Sequence, residues 1–369
     1  MSLGFSTPKL PILHLPDTLA DWPWPRSINP HYQEVKEEST AWFHAFEALS
    51  PQSQKAFDKC NFALLASLAY PWVSKEHLRT GCDLMHVFFL VDEYTDVEPA
   101  HVVLEMINIV LDAMKNPHKP RPEGEVILGE IARQFWERGV ETATPTSQVH
   151  MIETITEFLE SIVDQAADRE NDRYRSVEEY LERRRANVGT RPSCVPLELG
   201  LHLTDDVFYH PVLVELTDYI VEIIIIDNDI MSYNREQAMG DDRYNLIAVA
   251  MRQFQLDFDG AVDWAVQYHS ELQAKFLAAL HRVPTFGDAK IDREVAEYVR
   301  GLGNWPRCND CWSFEGERYF GDKGLEYKET RLVPLLPKVV KSENGPGRRK
   351  GEVNILSMEE LESPLQSPV

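Results

Sequence analysis

The apolar residues of this chain fall on helical spacing almost from end to end. Recurrence at i, i+3, i+4 and i+7 predicts helices over 40–49, 57–69, 78–91, 126–142, 149–169, 177–185, 211–238, 246–281 and 292–302. Alternating strand-like runs of any length are absent. Pro and Gly gather at 116–124 and 283–287, which reads as loops. Residues 1–30, rich in Pro and Trp, predict an extended surface arm. The polar stretch 338–369, which carries Gly, Pro and Ser but no sustained apolar face, predicts a disordered tail. Between them, residues 31–337 predict a single all-α domain, a helical bundle.

Composition narrows the partners. The chain is 369 residues long and 43% hydrophobic, ample for a large core. Its formal charge of −23 argues against nucleic acid or an anionic membrane as partner. An anionic small molecule would be repelled as well, unless a divalent metal reversed the local sign. The five cysteines, Cys60, Cys82, Cys194, Cys308 and Cys311, are too few and scattered for a disulfide framework and point to a reducing compartment. The lone CxxC at Cys308–Cys311 reads as incidental, because no second pair or histidine accompanies it. No leader-like segment opens the chain, and no apolar run reaches the roughly 18–20 residues of a membrane helix. The expectation is a soluble, cytoplasmic protein.

Two acidic motifs carry candidate chemistry. The helix around Phe88 is apolar nearly all round and then ends in Asp92, Glu93 and Asp96. Asp92 and Asp96 stand four apart on one face, where two carboxylates repel unless a cation joins them. Mg²⁺ characteristically takes one or two carboxylates together with substrate phosphate oxygens. Alone, such a cluster also fits an ordinary solvated helix end. The second motif follows four isoleucines at 223–226: Asn228, Ser232 and Glu236, spaced i, i+4, i+8, form one stripe of oxygen donors. Arg235 beside the stripe is a candidate anion contact.

Together these motifs resemble those of class I terpene synthases. Asp92-Glu93-x-x-Asp96 is similar to the family's aspartate-rich first motif, and Asn228-Asp229-x-x-Ser232-x-x-x-Glu236 to its second metal motif. The stretches Asn29–Tyr32, Ala66–Pro71, Gln134–Trp136 and Gly301–Trp305 are similar to fungal, basidiomycete-type sesquiterpene cyclases, most of all those forming protoilludene by 1,11-cyclisation. The resemblance implies that Asp92, Asp96, Asn228, Ser232 and Glu236 hold Mg²⁺, three ions in all. It implies Arg185 as the residue that senses the diphosphate, Val188 as linker and Gly189 as effector. Arg318-Tyr319 is similar to the family's C-terminal Arg-Tyr, so Arg185, Arg235, Arg318 and Tyr319 become the expected diphosphate contacts. Phe89 and Trp312 are the expected aromatic faces of the cation pocket. The implied activity is ionisation of farnesyl diphosphate and cyclisation to a C15 hydrocarbon, with a homodimer left open. A chain-elongating prenyltransferase and a non-catalytic helical metal-binding protein stay as alternatives.

Overall fold

The computed structural model describes residues 11–96, 98–339 and 353–362. A short strand β1 (Ile12–His14) opens the described chain and pairs antiparallel with β2 (Leu332–Pro334), joining the two ends of the domain. The arm after β1 is anchored by buried Leu15, Leu19 and Trp22. The indole N–H of Trp22 donates to the Gly303 carbonyl at 2.8 Å. The apolar residues of the expected surface arm sink into the core, and the chain turns at residues 18–21; residues 1–10 lie outside the described residues.

Helices then follow one another: α1 (Tyr32–His44), α2 (Pro51–Lys59), α3 (Phe62–Ala69), α4 (Lys75–Thr95), α5 (Ala100–Lys115), α6 (Leu128–Val140), α7 (Pro145–Glu170) and α8 (Val177–Asn187). After these come α9 (Thr190–Cys194), α10 (Asp205–Phe208), α11 (Pro211–Met239), α12 (Leu246–Phe254), α13 (Phe258–Leu280), α14 (Ala289–Glu315) and α15 (Gly324–Thr330). Two expected helices, 57–69 and 246–281, are each broken in two. Asn61 and Gln255 take left-handed backbone at φ 51° and 55°, and no Gly or Pro marks either break. Helix α5 was not expected, although Val103, Ile107, Val110 and Met114 bury one stripe of it.

α11 is the axis of the bundle. It packs against α13, α14, α12 and α8 at once, which explains why Ile223, Ile225 and Ile226 are fully buried and Ile224 nearly so. α14 lies between α11 and α3, and α3 in turn packs on α4. These contacts enclose a space between α4, α7, α8, α11 and α14. All five cysteines are buried free thiols. Among the described residues no helix is long and apolar enough to cross a membrane.

The expected disordered tail needs correction where it is described. Residues 353–362 lie on the body of the domain and end in a short helix, α16 (Met358–Glu362). Ile355, Met358 and Leu361 are buried, and the Ser53 hydroxyl donates to the Val353 carbonyl at 2.9 Å while accepting from the Ile355 N–H at 3.1 Å. Lys59 pairs with Glu359 and Lys323 with Glu362. Three apolar side chains and four polar ties dock a segment too short to form a helix alone. Residues 340–352 and 363–369, also part of the expected tail, lie outside the described residues.

Candidate active site

The enclosed space is a cavity of about 220 Å³, room for one small molecule. Helix spacing decides what lines it. On α4, Met85, Phe89, Asp92 and Asp96 share one stripe; on α11, Ile224, Asn228, Ser232 and Glu236 share another. α14 contributes Trp305, Asn309 and Trp312, and α7 contributes Phe158, Ile162 and Gln165. Each stripe is apolar or aromatic at depth, and α4 and α11 turn to oxygen donors at the mouth.

A network of side chains joins the α4 and α11 walls. The Arg318 guanidinium reaches Asp92 and Glu93, each at 3.4 Å. Next along the chain, the Tyr319 hydroxyl accepts from the Asn228 amide at 3.0 Å. Asn228 Oδ1 accepts from Arg184 Nη2 at 3.1 Å, and Arg184 also pairs with buried Asp229 at 3.3 Å. Asn245 donates to Glu236 at 2.9 Å, fixing the far end of the α11 stripe. Arg235 lines the cavity with no ion-pair or hydrogen-bond partner among the described residues.

These oxygens suit a hard divalent cation. Burial first, and then the like charge of Glu93, raises the Asp92 carboxyl, against the pull of Arg318. Asp96 is exposed at the cavity mouth, and desolvation by the surrounding wall, with the charges of Asp92 and Glu93 adding to the shift, raises its carboxyl above the usual range. Glu236 is pushed up to about 7, by burial and then by Asp229. All three are short of positive charge, and a bound cation would supply it. Among the described residues no three His, Cys, Asp or Glu gather closely enough to hold a metal. The donor set is instead mixed, with an amide and a hydroxyl, and is divided between two helices.

The structure brings together every expected site residue but one. Arg185 does not line the cavity. Its Nη2 pairs with Glu222 at 2.6 Å, and the Tyr268 hydroxyl donates to the same carboxylate. Helical geometry explains the correction: Tyr180, Arg184 and Asn187 form the stripe of α8 that faces inward, and Arg185 falls about 100° off it. Arg184 takes the cavity position in its place.

Gly189 lies at the kink between α8 and α9 with φ 72°, a left-handed conformation that costs other residues roughly 1–2 kcal/mol. A Cβ there would also stand 3.3 Å from the Phe158 ring. Val188, Thr190 and Ser193 line the cavity beside it. Trp312 is held by its indole N–H on the Cys60 carbonyl at 2.8 Å. Phe89 lines the cavity too, but its ring stacks on Phe62 at 4.0 Å and carries the Arg318 guanidinium 4.7 Å from its centroid. Much of its electron-rich surface is thus already committed, whereas Phe88, Phe158 and Trp305 add aromatic surface that was not expected.

Oxygen donors and cations at one pole of an aromatic chamber define a metal-binding enzyme for an anion joined to an apolar group. The chain belongs to the terpene synthase family: residues 83–275 match the model described as terpene synthase family 2, C-terminal metal binding. Among curated relatives, sesquiterpene synthase 14 of Postia placenta is 59% identical over 90% of this chain and 94% of its own. Delta(6)-protoilludene synthase 18 of the same fungus is 57% identical over 95% and 99%. The delta(6)-protoilludene synthase of Armillaria gallica is 48% identical over 90% and 96%. Among solved structures, an α-eudesmol synthase superposes with a TM-score of 0.72 at 21% identity, covering 80% of this chain and 98% of that one. A hedycaryol synthase gives 0.72 at 18%, covering 83% and 100%. At such identities the structural matches speak for the fold.

Proposed function

We propose that this chain is a magnesium-dependent sesquiterpene cyclase that ionises farnesyl diphosphate, closes the cation into a ring system and releases diphosphate, with delta-6-protoilludene as product. The observation that carries the reading is the polarity of the cavity: oxygen donors and cations at the mouth, aromatic and aliphatic side chains beneath. The product assignment is supported by the names of relatives 57% identical along nearly the whole chain.

Asp92 and Asp96 on one side, and Asn228, Ser232 and Glu236 on the other, would hold the metal, three Mg²⁺ ions in this reading. Bound there, magnesium neutralises the diphosphate and makes it a better leaving group. Arg184, Arg235 and Arg318 add fixed positive charge at the mouth, and the Tyr319 hydroxyl adds a donor. These groups favour the charge that develops on the leaving oxygens as the allylic C–O bond breaks and both its electrons depart with oxygen. The resulting carbocation then lies among Phe88, Phe158, Trp305 and Trp312, whose faces attract positive charge without attacking it. The same walls keep water away until ring closure is complete and one proton is lost.

The test is incubation of the purified protein with farnesyl diphosphate, with and without Mg²⁺, reading volatiles by gas chromatography–mass spectrometry. A cyclic C15 hydrocarbon that needs the metal is the expected result. No hydrocarbon from C10, C15 or C20 diphosphates overturns the reading.

A further inference from the structure

Among the described residues, buried asparagine amides are satisfied with one exception. Asn29, Asn187, Asn234, Asn245 and Asn304 are buried, and the Nδ2 of each donates to a protein oxygen within 3.0 Å. Asn309 is equally buried, at 5% exposure, yet its Nδ2 has no partner among the described residues. It lies on α14 four residues after Trp305 and three before Trp312, so the three share the face that lines the cavity.

An unpaired buried amide costs free energy that an apolar side chain of the same shape would not. Around Asn309 a leucine would suit a hydrocarbon chamber better, so its value must come with the occupant. Its depth indicates which part of the occupant it meets. Trp312 stands next to Tyr319, with ring centroids 5.6 Å apart, and so marks the diphosphate pole. Asn309 lies nearly one helical turn further from that pole, beside carbons of the prenyl chain and away from the leaving group. A neutral chain offers an amide nothing to bond. A cation does, because a side chain not held at Nδ2 is free to turn its carbonyl oxygen toward positive charge. An amide oxygen is also a weak base, poorly suited to removing a proton early.

We propose that Asn309 is a specificity-determining residue, its side-chain carbonyl holding positive charge at mid-cavity so that the cation continues to further ring closure. The proposal rests on the cyclase reading above. Asn309→Leu, which keeps size and removes the dipole, tests it. Diphosphate release should stay within about threefold of wild type, because ionisation takes place at the other pole. The main product should fall below half of the total, with linear or less cyclised C15 hydrocarbons replacing it. The melting temperature should hold or rise, the opposite of what loss of a structural hydrogen bond would do. Asn309→Gln, which keeps an amide, should retain more of the wild-type product than the leucine variant.

An unchanged product spectrum in Asn309→Leu overturns the proposal. So does a lowered melting temperature, which would mean that the amide is paired in the folded protein. So does a C15 alcohol made by wild type and lost in the leucine variant, which would make Asn309 the holder of a water. If wild type forms no cyclic product at all, it is the cyclase reading that fails.

Discussion

The amide of Asn228 is held from both sides: its nitrogen donates to the Tyr319 hydroxyl at 3.0 Å, and its oxygen accepts from Arg184 at 3.1 Å. A residue expected to bind metal is thereby oriented before any metal arrives, by two groups suited to holding the anion. Tyr319→Phe keeps the ring packed on Trp312 but frees the amide and removes a donor. Loss of one such hydrogen bond is worth about 1–2 kcal/mol. Steady-state kinetics should show kcat/KM lowered by roughly 5- to 30-fold, with a higher Mg²⁺ concentration needed for half-maximal rate. A phenylalanine variant with wild-type rate and metal dependence would rule out this role.

Arg184 and Arg185 are neighbours with opposite fates. Arg184 is mostly buried at the cavity and bridges Asn228 and Asp229, whereas Arg185 is half-exposed on Glu222. Arg184→Ala should lower turnover at least about 100-fold, as expected for a group that stabilises the leaving charge. Arg185→Ala should leave turnover within about threefold and cost roughly 1–3 kcal/mol of stability, because it takes the cation from the buried Glu222 carboxylate. The reverse ranking in turnover assays would return the sensor role to Arg185.

His86 makes acid stability a readout of the core. It is buried against Phe43, 4.8 Å between ring centroids, and its Nδ1 lies 3.1 Å from the Ser39 hydroxyl. That hydroxyl donates to Asp83, which Arg79 and Arg138 also hold, so Nδ1 must carry the proton toward Ser39. Burial, and then the nearby His44, lower the His86 pKa to about 3. Between pH 6.5 and about 3 the unfolded chain binds a proton that the folded one refuses, so stability falls with falling pH. From pH 6.5 to 4.5 this contributes a loss of about 2–3 kcal/mol. Denaturant melts of wild type and His86→Asn should diverge in that window, with the wild type losing more. Parallel loss in both proteins would exclude His86 as the source.

The segment 353–362 backs the cationic end of the cavity. Residues 355–359 share a small crevice with Arg235 and Arg318, opposite the face those cations turn to the main cavity. Ile355→Asp places a charge where a side chain is 2% exposed and should release the segment. The expected result is a melting temperature lower by roughly 4 °C or more and turnover reduced several-fold, measured on the full chain. An aspartate variant that melts and turns over like wild type would mean the segment adds nothing to the site.

Much of the cavity lining could be read from the sequence because residues four apart on a helix must share a face. Asp92 with Asp96, and Asn228 with Ser232 and Glu236, needed only the correct assignment of helix. The choice between Arg184 and Arg185 needed more, since it depends on which stripe of α8 turns inward; buried Tyr180 and Leu181 were the available signal. The breaks at Asn61 and Gln255 use left-handed backbone without glycine, so local pattern gives no warning of them. Ile355, Met358 and Leu361 do stand at helical intervals, but a five-residue helix owes its existence to docking. Asn309 was hidden inside a CxxC that read as incidental, and only its lack of a partner among the described residues gives it meaning.

The two walls of the cavity mouth should differ in how readily they open. The Asn228 stripe continues a stretch of α11 that is buried from Ile220 to Asp227, so amide protons from Ile224 to Ser232 should exchange only when the whole bundle unfolds. The Asp92 stripe reaches the last turn of α4, where fraying frees the chain at far lower cost. Deuterium uptake followed by mass spectrometry should therefore find α11 silent with or without Mg²⁺ and diphosphate, while both slow exchange at residues 90–96. Ordering of the site would then be one-sided, with α4 moving to meet a wall that the core has already set.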